Sequence, residues 1–189
     1  PEEKTNVLLV TLPTNFKVAR FETDKYTGIL RQMQQDIEAI RYDAGGGPVD
    51  IPVKLKVHDS IFVPLAKWAM LLTGNYRCVT KDAAITIKEA VHADLDKSRT
   101  VYNWVRDLVV ALGANPDDLV PFEKYAAAAQ GLTRPSSAAR ALFAGAPNIE
   151  RTDRLVQTIG AQKGMRSPIV DETVATVDAR LAANRKAAA

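Results

Sequence analysis

Hydrophobic positions along the 189-residue chain change character near residue 59. Before that point the pattern reads strand, helix, strand. Val7 to Leu12 is a short apolar run, followed by Pro13 and then Phe16 and Val18, as in one or two strands around a turn. Tyr26, Ile29, Leu30, Met33, Ile37 and Ile40 recur at helical spacing, with Thr23 or Asp24 placed to cap the start and Gly45-Gly46-Gly47-Pro48 to end it. Val53, Leu55 and Val57 alternate with lysines, the signature of a half-exposed strand.

From Asp59 onward the pattern is helical. A first helix is expected from Asp59 or Ser60 through Leu72, with Gly74 after its end. A second carries Val101, Trp104, Val105, Leu108, Val109 and Leu112 before Gly113. A third begins near Pro116 and carries Leu119, Phe122, Tyr125 and Ala129. A short one spans Ser137 to Phe143, another runs from Asn148 to Lys163, and the last starts at Pro168. The tail from Ala183 to Ala189 is expected to fray. The fold class is therefore mainly α with a small α/β piece in front, divided into residues 1–58 and 59–189.

Composition narrows the function classes. Net charge is only +3, with acidic residues interspersed among the basic ones, so no nucleic-acid surface is indicated. Cys78 is the single cysteine, which excludes an internal disulfide, and it reads as a small packed residue. His58 and His92 do not have helical ligand spacing, so no metal site is expected. The apolar run Ile61 to Leu72 is too short to span a bilayer, and no signal peptide is evident. A cytoplasmic protein is the default. The chain opens Pro-Glu-Glu-Lys without methionine and runs into an apolar strand, as expected of a piece of a longer polypeptide.

Lys67 is the most informative candidate. It is the only charged side chain in the run from Ile61 to Leu72, whose apolar residues cover every side of a helix. Two placements fit this pattern. A buried lysine has its ammonium disfavoured and becomes a proton donor near neutrality. A snorkelling lysine lays its methylenes on the helix and keeps its charge in water. The three glycines follow a helix and precede a strand, the reverse of a dinucleotide fingerprint, so they read as a surface turn. Arg134-Pro135-Ser136-Ser137 precedes a short helix, where the hydroxyls and free amides suit either an anion or an ordinary cap. Asn75 reads as a helix-end residue or a ligand hydrogen-bonder. Asn148, Glu150 and Asp153 read as the start of a helix, where acids suit the dipole. Trp68 and Trp104 read as core.

In order and spacing these segments resemble the ketopantoate reductase (2-dehydropantoate 2-reductase) family of pantothenate biosynthesis. The run from Asp59-Ser60-Ile61-Phe62 through Lys67 to Gly74-Asn75 resembles that family's interdomain helix. Ser136-Ser137-Ala138-Ala139 resembles its Ser-Ser-Met-Leu segment. Asn148-Ile149-Glu150-Arg151-Thr152-Asp153 stands where the family has Thr-Glu-Ile-Asp, and Gly164 to Pro168 resembles its Gly-x-x-x-Pro turn. The likeness covers residues 50 to 185. It implies a Rossmann-domain remnant followed by a helical domain like the C-terminal domain of 6-phosphogluconate dehydrogenase. It further implies an NADPH-dependent oxidoreductase acting on a 2-keto acid, with Lys67 as the general acid protonating the developing alkoxide. Asn75, Arg134, Ser136, Ser137 and Glu150 would contact substrate, with Glu150 also near the cofactor. NADP(H) would be bound by the full-length protein and not by this chain alone, which shows no G-x-G-x-x-G. A homodimer is compatible with the resemblance; nucleic acid, membrane and metal are not expected. Leu71 and Arg134 replace family asparagines, and Glu150 stands one residue beyond the family's glutamate. These changes fit a different keto acid, or a relative without the activity. Two other readings remain open: a non-catalytic helical binding or dimerisation module, and a β-hydroxyacid dehydrogenase-like domain, against which the serine pair argues.

Overall fold

The computed structural model describes residues 14–43 and 45–188. The strand expected at Val7 to Leu12 lies outside them. Helix accounts for 61% of the structure and strand for 10%, so the fold is mainly α. The chain divides into two units, one running through Pro64 and the other from Leu65.

In the first unit, β1 (Thr14–Ala19) pairs in parallel with β4 (Val53–His58), and α1 (Asp24–Ala39) makes the crossover between them. Leu55 is the buried centre of β4, as its alternation with lysines requires. Helix α1 is held to β4 by Gln34, whose Oε1 accepts from the Val57 N–H at 2.9 Å, and by the Lys56–Glu38 pair at 3.0 Å. The apolar stripe of α1 is buried less than its spacing suggested. Leu30 and Ile37 are half-buried, whereas Tyr26, Ile29, Met33 and Ile40 are exposed. Among the described residues only β1 and β4 are paired beside this helix, and they leave most of the stripe uncovered. The helix stops at Ala39, ahead of the glycines, which form the turn between β2 (Arg41–Asp43) and β3 (Pro48–Asp50). Gly45 and Gly47 both have φ +100, a conformation that only glycine adopts freely. Their amides donate to Asp43 Oδ1 at 2.7 and 3.1 Å.

The second unit is a helical assembly. It comprises α2 (Ala66–Met70), α3 (Ile87–His92), α4 (Leu95–Ala111), α5 (Phe122–Ala129), α6 (Ser137–Phe143), α7 (Thr152–Gln162) and α8 (Pro168–Ala188). Its main core packs Leu72, Val101, Tyr102, Val105, Leu108, Tyr125, Val156 and Val174 from α4, α5, α7, α8 and the stretch after α2. A second cluster packs Tyr76, Cys78, Ala139, Leu142, Val177 and Leu181 beneath α6 and α8. Burial pushes the Cys78 thiol pKa up, which keeps it an inert packed residue. Trp68 and Trp104 are partly buried against the main core.

Several boundaries differ from the pattern-based ones. Of the helix expected over 59–72, only Ala66–Met70 is α-helical. Val63–Leu65 is a 3-10 turn, where Pro64 is tolerated. Beyond α2 the chain winds on through a π turn (Leu71–Asn75) and a 3-10 turn (Tyr76–Cys78). Helix α3, absent from the pattern reading, is fixed by a capping box in which Thr86 and Glu89 exchange hydrogen bonds. Pro121 separates the Pro116–Asp118 turn from α5. Helix α7 begins at Thr152 rather than Asn148. The tail is helical through Ala188. Asn184 donates to the carbonyls of Leu142 and Ala146 at 2.8 and 2.9 Å, and Arg185 donates to Pro147 O at 2.9 Å.

Candidate functional site

The stretch from Lys67 to Asn75 is built around its π turn. The Tyr76 N–H donates to the Leu71 carbonyl, five residues back. A π turn holds more residues per revolution than an α turn. It therefore brings Asn75 back toward the face of the helix that carries Leu71 and, one turn earlier, Lys67. Leu71 and Asn75 then form one wall of a cleft of about 330 Å³. Ser137, Ala138 and Ala141 on α6 form the second wall, and the non-helical segment Asn148-Ile149-Glu150 closes the third side. That volume lies at the lower end of the small-molecule range. Leu71, Ala138 and Ile149, which also pack on the second hydrophobic cluster, give the cleft an apolar floor.

Two residues hold this geometry through their hydroxyls. The Ser136 hydroxyl donates to the Asn75 carbonyl at 2.7 Å and accepts from the Ala139 N–H at 3.1 Å. It caps α6 and fastens that helix to the π turn in one group. Ser136→Ala removes both bonds from a buried position and is expected to lower stability by about 1–2 kcal/mol, read from urea unfolding. Tyr76 does the same for the third wall. Its hydroxyl donates to the Glu150 carbonyl at 2.7 Å and accepts from the Thr152 N–H at 3.0 Å. Burial raises the Tyr76 pKa, so this phenol remains a donor at neutral pH. These bonds hold residues 150–152 in place where the chain enters α7.

The residues expected from the sequence are thus only partly gathered. Asn75, Ser137 and Glu150 line one cleft, and Ile149 and Glu150 line it together. Ser136 does not reach the cleft, because its hydroxyl is taken by the cap. Arg134 does not line it either. Its backbone runs beside α3, the Arg134 carbonyl accepts from the Ile87 N–H at 3.2 Å, and its side chain is exposed. Lys67 is exposed and stands outside the lining, so of the two placements open to it the solvent-facing one is found and the buried proton donor is not. The inward positions of α2 are taken by Ala66 and Ala69, leaving Lys67 on the solvent side. The Ser137 hydroxyl makes no hydrogen bond among the described residues, and Glu150 Oε1 accepts from the Thr152 hydroxyl at 3.2 Å.

The sequence pattern does not mark Tyr76 or the charge network behind the third wall, and Asn148, read as a helix start, lines the cleft ahead of α7 instead. Asn148 Oδ1 accepts from Arg185 of α8 at 3.1 Å, so the C-terminal helix positions the cleft. Asp153, read from the sequence as a dipole-complementing acid, is fully buried and held by Arg151 through two hydrogen bonds of 2.9 Å each. Arg151 also reaches Asp178 of α8 at 2.5 Å, and Arg154 pairs with the same carboxylate. No described helix is long and apolar enough to cross a membrane. Among the described residues no group of three or more His, Cys, Asp or Glu side chains is placed to hold a metal ion. The chain matches no protein-family model, and neither a curated protein nor a solved structure is significantly similar to it.

Proposed function

We propose that the helical unit is the keto-acid-binding half of an NADPH-dependent 2-keto acid reductase of the ketopantoate reductase type. The observation that supports this is the convergence of Asn75, Ser137 and Glu150, from three separate segments, on one cleft. The Asn75 amide and Ser137 hydroxyl suit the oxygens of a 2-keto acid, and the Glu150 carboxylate suits a substrate hydroxyl. Lys67, one turn before Leu71, is the cation nearest to this role along the helix. Its exposure means that a bound substrate has to supply the cover from water that its own helix does not.

The glycine-rich turn among the described residues does not fit a dinucleotide phosphate. The one glycine-rich turn lies between two strands, and the Gly45 and Gly47 amides are already taken by Asp43. No step through the cofactor is therefore derived for this chain.

A second reading has a specific observation in its favour. An exposed Lys67 outside the lining is what a non-catalytic binding module on the same scaffold would show. Two measurements separate the readings. Calorimetric titration with ketopantoate is expected to show binding that Ser137→Ala and Asn75→Ala each weaken by about tenfold, the loss of one hydrogen bond to a charged group. In the full-length reductase, Lys67→Ala is expected to slow ketone reduction by about 100-fold or more. Binding that persists with a Lys67→Ala rate within a fewfold of the parent selects the module. Absence of ketopantoate binding removes both the substrate assignment and the role of the cleft.

A further inference from the structure

On the side of the helical unit formed by α4, α8 and the segment after α2, Arg77, Lys81 and Lys97 line a cleft of about 300 Å³ that shares no residue with the Asn75–Ser137 site. Glu172 is the one acidic side chain in the lining. We propose that this cleft binds the phosphate or diphosphate group of a soluble phosphate ester, with Arg77 as its anchor.

Arg77 carries the argument because it is fixed, partly buried and without an ion pair among the described residues. Its Nη1 donates to the Thr73 carbonyl at 3.2 Å and to the Ser98 hydroxyl at 2.7 Å. Ser98 is itself fully buried and donates to Val91 O at 2.8 Å, so the guanidinium is held from behind. Arg77 makes no ion pair among the described residues, and its remaining N–H groups make no bond there. A cation withdrawn from water without a counter-ion is costly, and burial pulls the Arg77 pKa below its ordinary value even though Asp94 and Glu172 act to raise it. An anion entering the cleft supplies the missing charge. The planar guanidinium matches two phosphate oxygens at once, which a lysine does not.

The surroundings favour a multiply charged group. Lys81 is exposed at the rim, and Lys97 is half-exposed on the first turn of α4. Lys97 meets Glu172 only at 3.4 Å, with that carboxylate 69% exposed, a weak pair that an entering anion can displace. Three cations face one carboxylate, and the first turns of α4 and α8 add the positive ends of two long helices. A second cleft, of about 510 Å³, shares Thr80, Lys81, Glu172 and Thr176 with the first and continues along Ala175, Ala179 and Ala183 of α8. The organic part of an ester has room there.

The test is calorimetric titration of the whole chain with pyrophosphate at low ionic strength. Binding is expected, weakening steeply as salt is added. Lys81→Ala, at an exposed position, is expected to reduce affinity severalfold, and Arg77→Gln by about tenfold or more. Glu172→Gln removes the competing carboxylate and frees Lys97, so it is expected to tighten binding severalfold. This gain cannot be imitated by a folding defect, and it keeps the test decisive if Arg77→Gln does not fold. Ketopantoate is not expected to displace pyrophosphate, because the two clefts have no residue in common. No pyrophosphate binding overturns the proposal. So does binding that is indifferent to Arg77, Lys81 and Glu172, which would be that of an adventitious ion only.

Discussion

Arg151→Ala is expected to destabilise the helical unit by about 3–5 kcal/mol, the cost of leaving one member of a buried ion pair alone. Asp153 has no exposed surface, and Arg151 provides both of the hydrogen bonds its carboxylate oxygens receive. With the guanidinium gone, a carboxylate inside the fold is left without its hydrogen-bond partner. Arg151 also spans α7 and α8 through Asp178, so the same change loosens the joint that sets the third wall of the cleft. Burial works against the Arg151 charge, but hydrogen bonds to Asp153 and Asp178 outweigh it and raise the pKa above its ordinary value. Stability from a raised base is fully present below its unfolded-state pKa, so Arg151 itself gives no pH dependence near neutrality. The contrast is Arg154→Ala. Arg154 is more than half exposed and meets only Asp178, so its loss is expected to cost under about 1 kcal/mol. Urea unfolding of the two variants separates these cases. An Arg151→Ala midpoint as close to the parent as that of Arg154→Ala would mean that the network contributes nothing.

What the sequence disclosed about this molecule followed the physics of periodicity. The alternation at Val53, Leu55 and Val57 and the stripe of α4 emerged as written, because each is a local pattern locked to one element. Ser137 to Phe143 was delimited to the residue because a serine cap precedes a short apolar repeat. The capping box at Thr86 and Glu89 was equally local and was overlooked for lack of a long apolar stripe behind it. The stretch from Lys67 to Cys78 misled for a different reason. The run from Ile61 to Leu72 that leads into it is apolar on all sides apart from Lys67, which fixes neither the face that turns outward nor the insertion of a π turn past Leu71. Both are decided by what packs against the helix: Tyr125 beside Gly74, and Ser136 on the Asn75 carbonyl. The cleft shows the same division. Asn75, Ser137 and Glu150 were singled out by residue type and order. Tyr76 was not, because its bonds to Glu150 and Thr152 cross more than seventy residues of chain and leave no repeat in the sequence.

Gly74→Ala is expected to cost about 3 kcal/mol, at the upper end of what a single added carbon does in a packed interior. Gly74 has no positive φ to protect, so the requirement is purely one of space. A β-carbon at this position would overlap the Tyr125 hydroxyl and come within 3.1 Å of Ile87 Cγ2. Tyr125 cannot withdraw. Its ring stacks on Tyr102 at 5.3 Å, and its hydroxyl donates to the Met70 carbonyl at 3.2 Å. The helix would have to move instead, and Asn75 is the next residue along it. A loss of stability measured by urea unfolding should therefore come with weaker ligand binding in the Asn75–Ser137 cleft. The origin of the strain can be isolated with Tyr125→Phe, which deletes the overlapping atom and leaves the ring carbon beneath it at an ordinary 3.4 Å. In that background Gly74→Ala should cost much less, with a coupling of about 1 kcal/mol or more between two residues in direct contact. Equal costs in the two backgrounds would show that the overlap is relieved elsewhere and that this glycine is not what lets the π turn lie against α5.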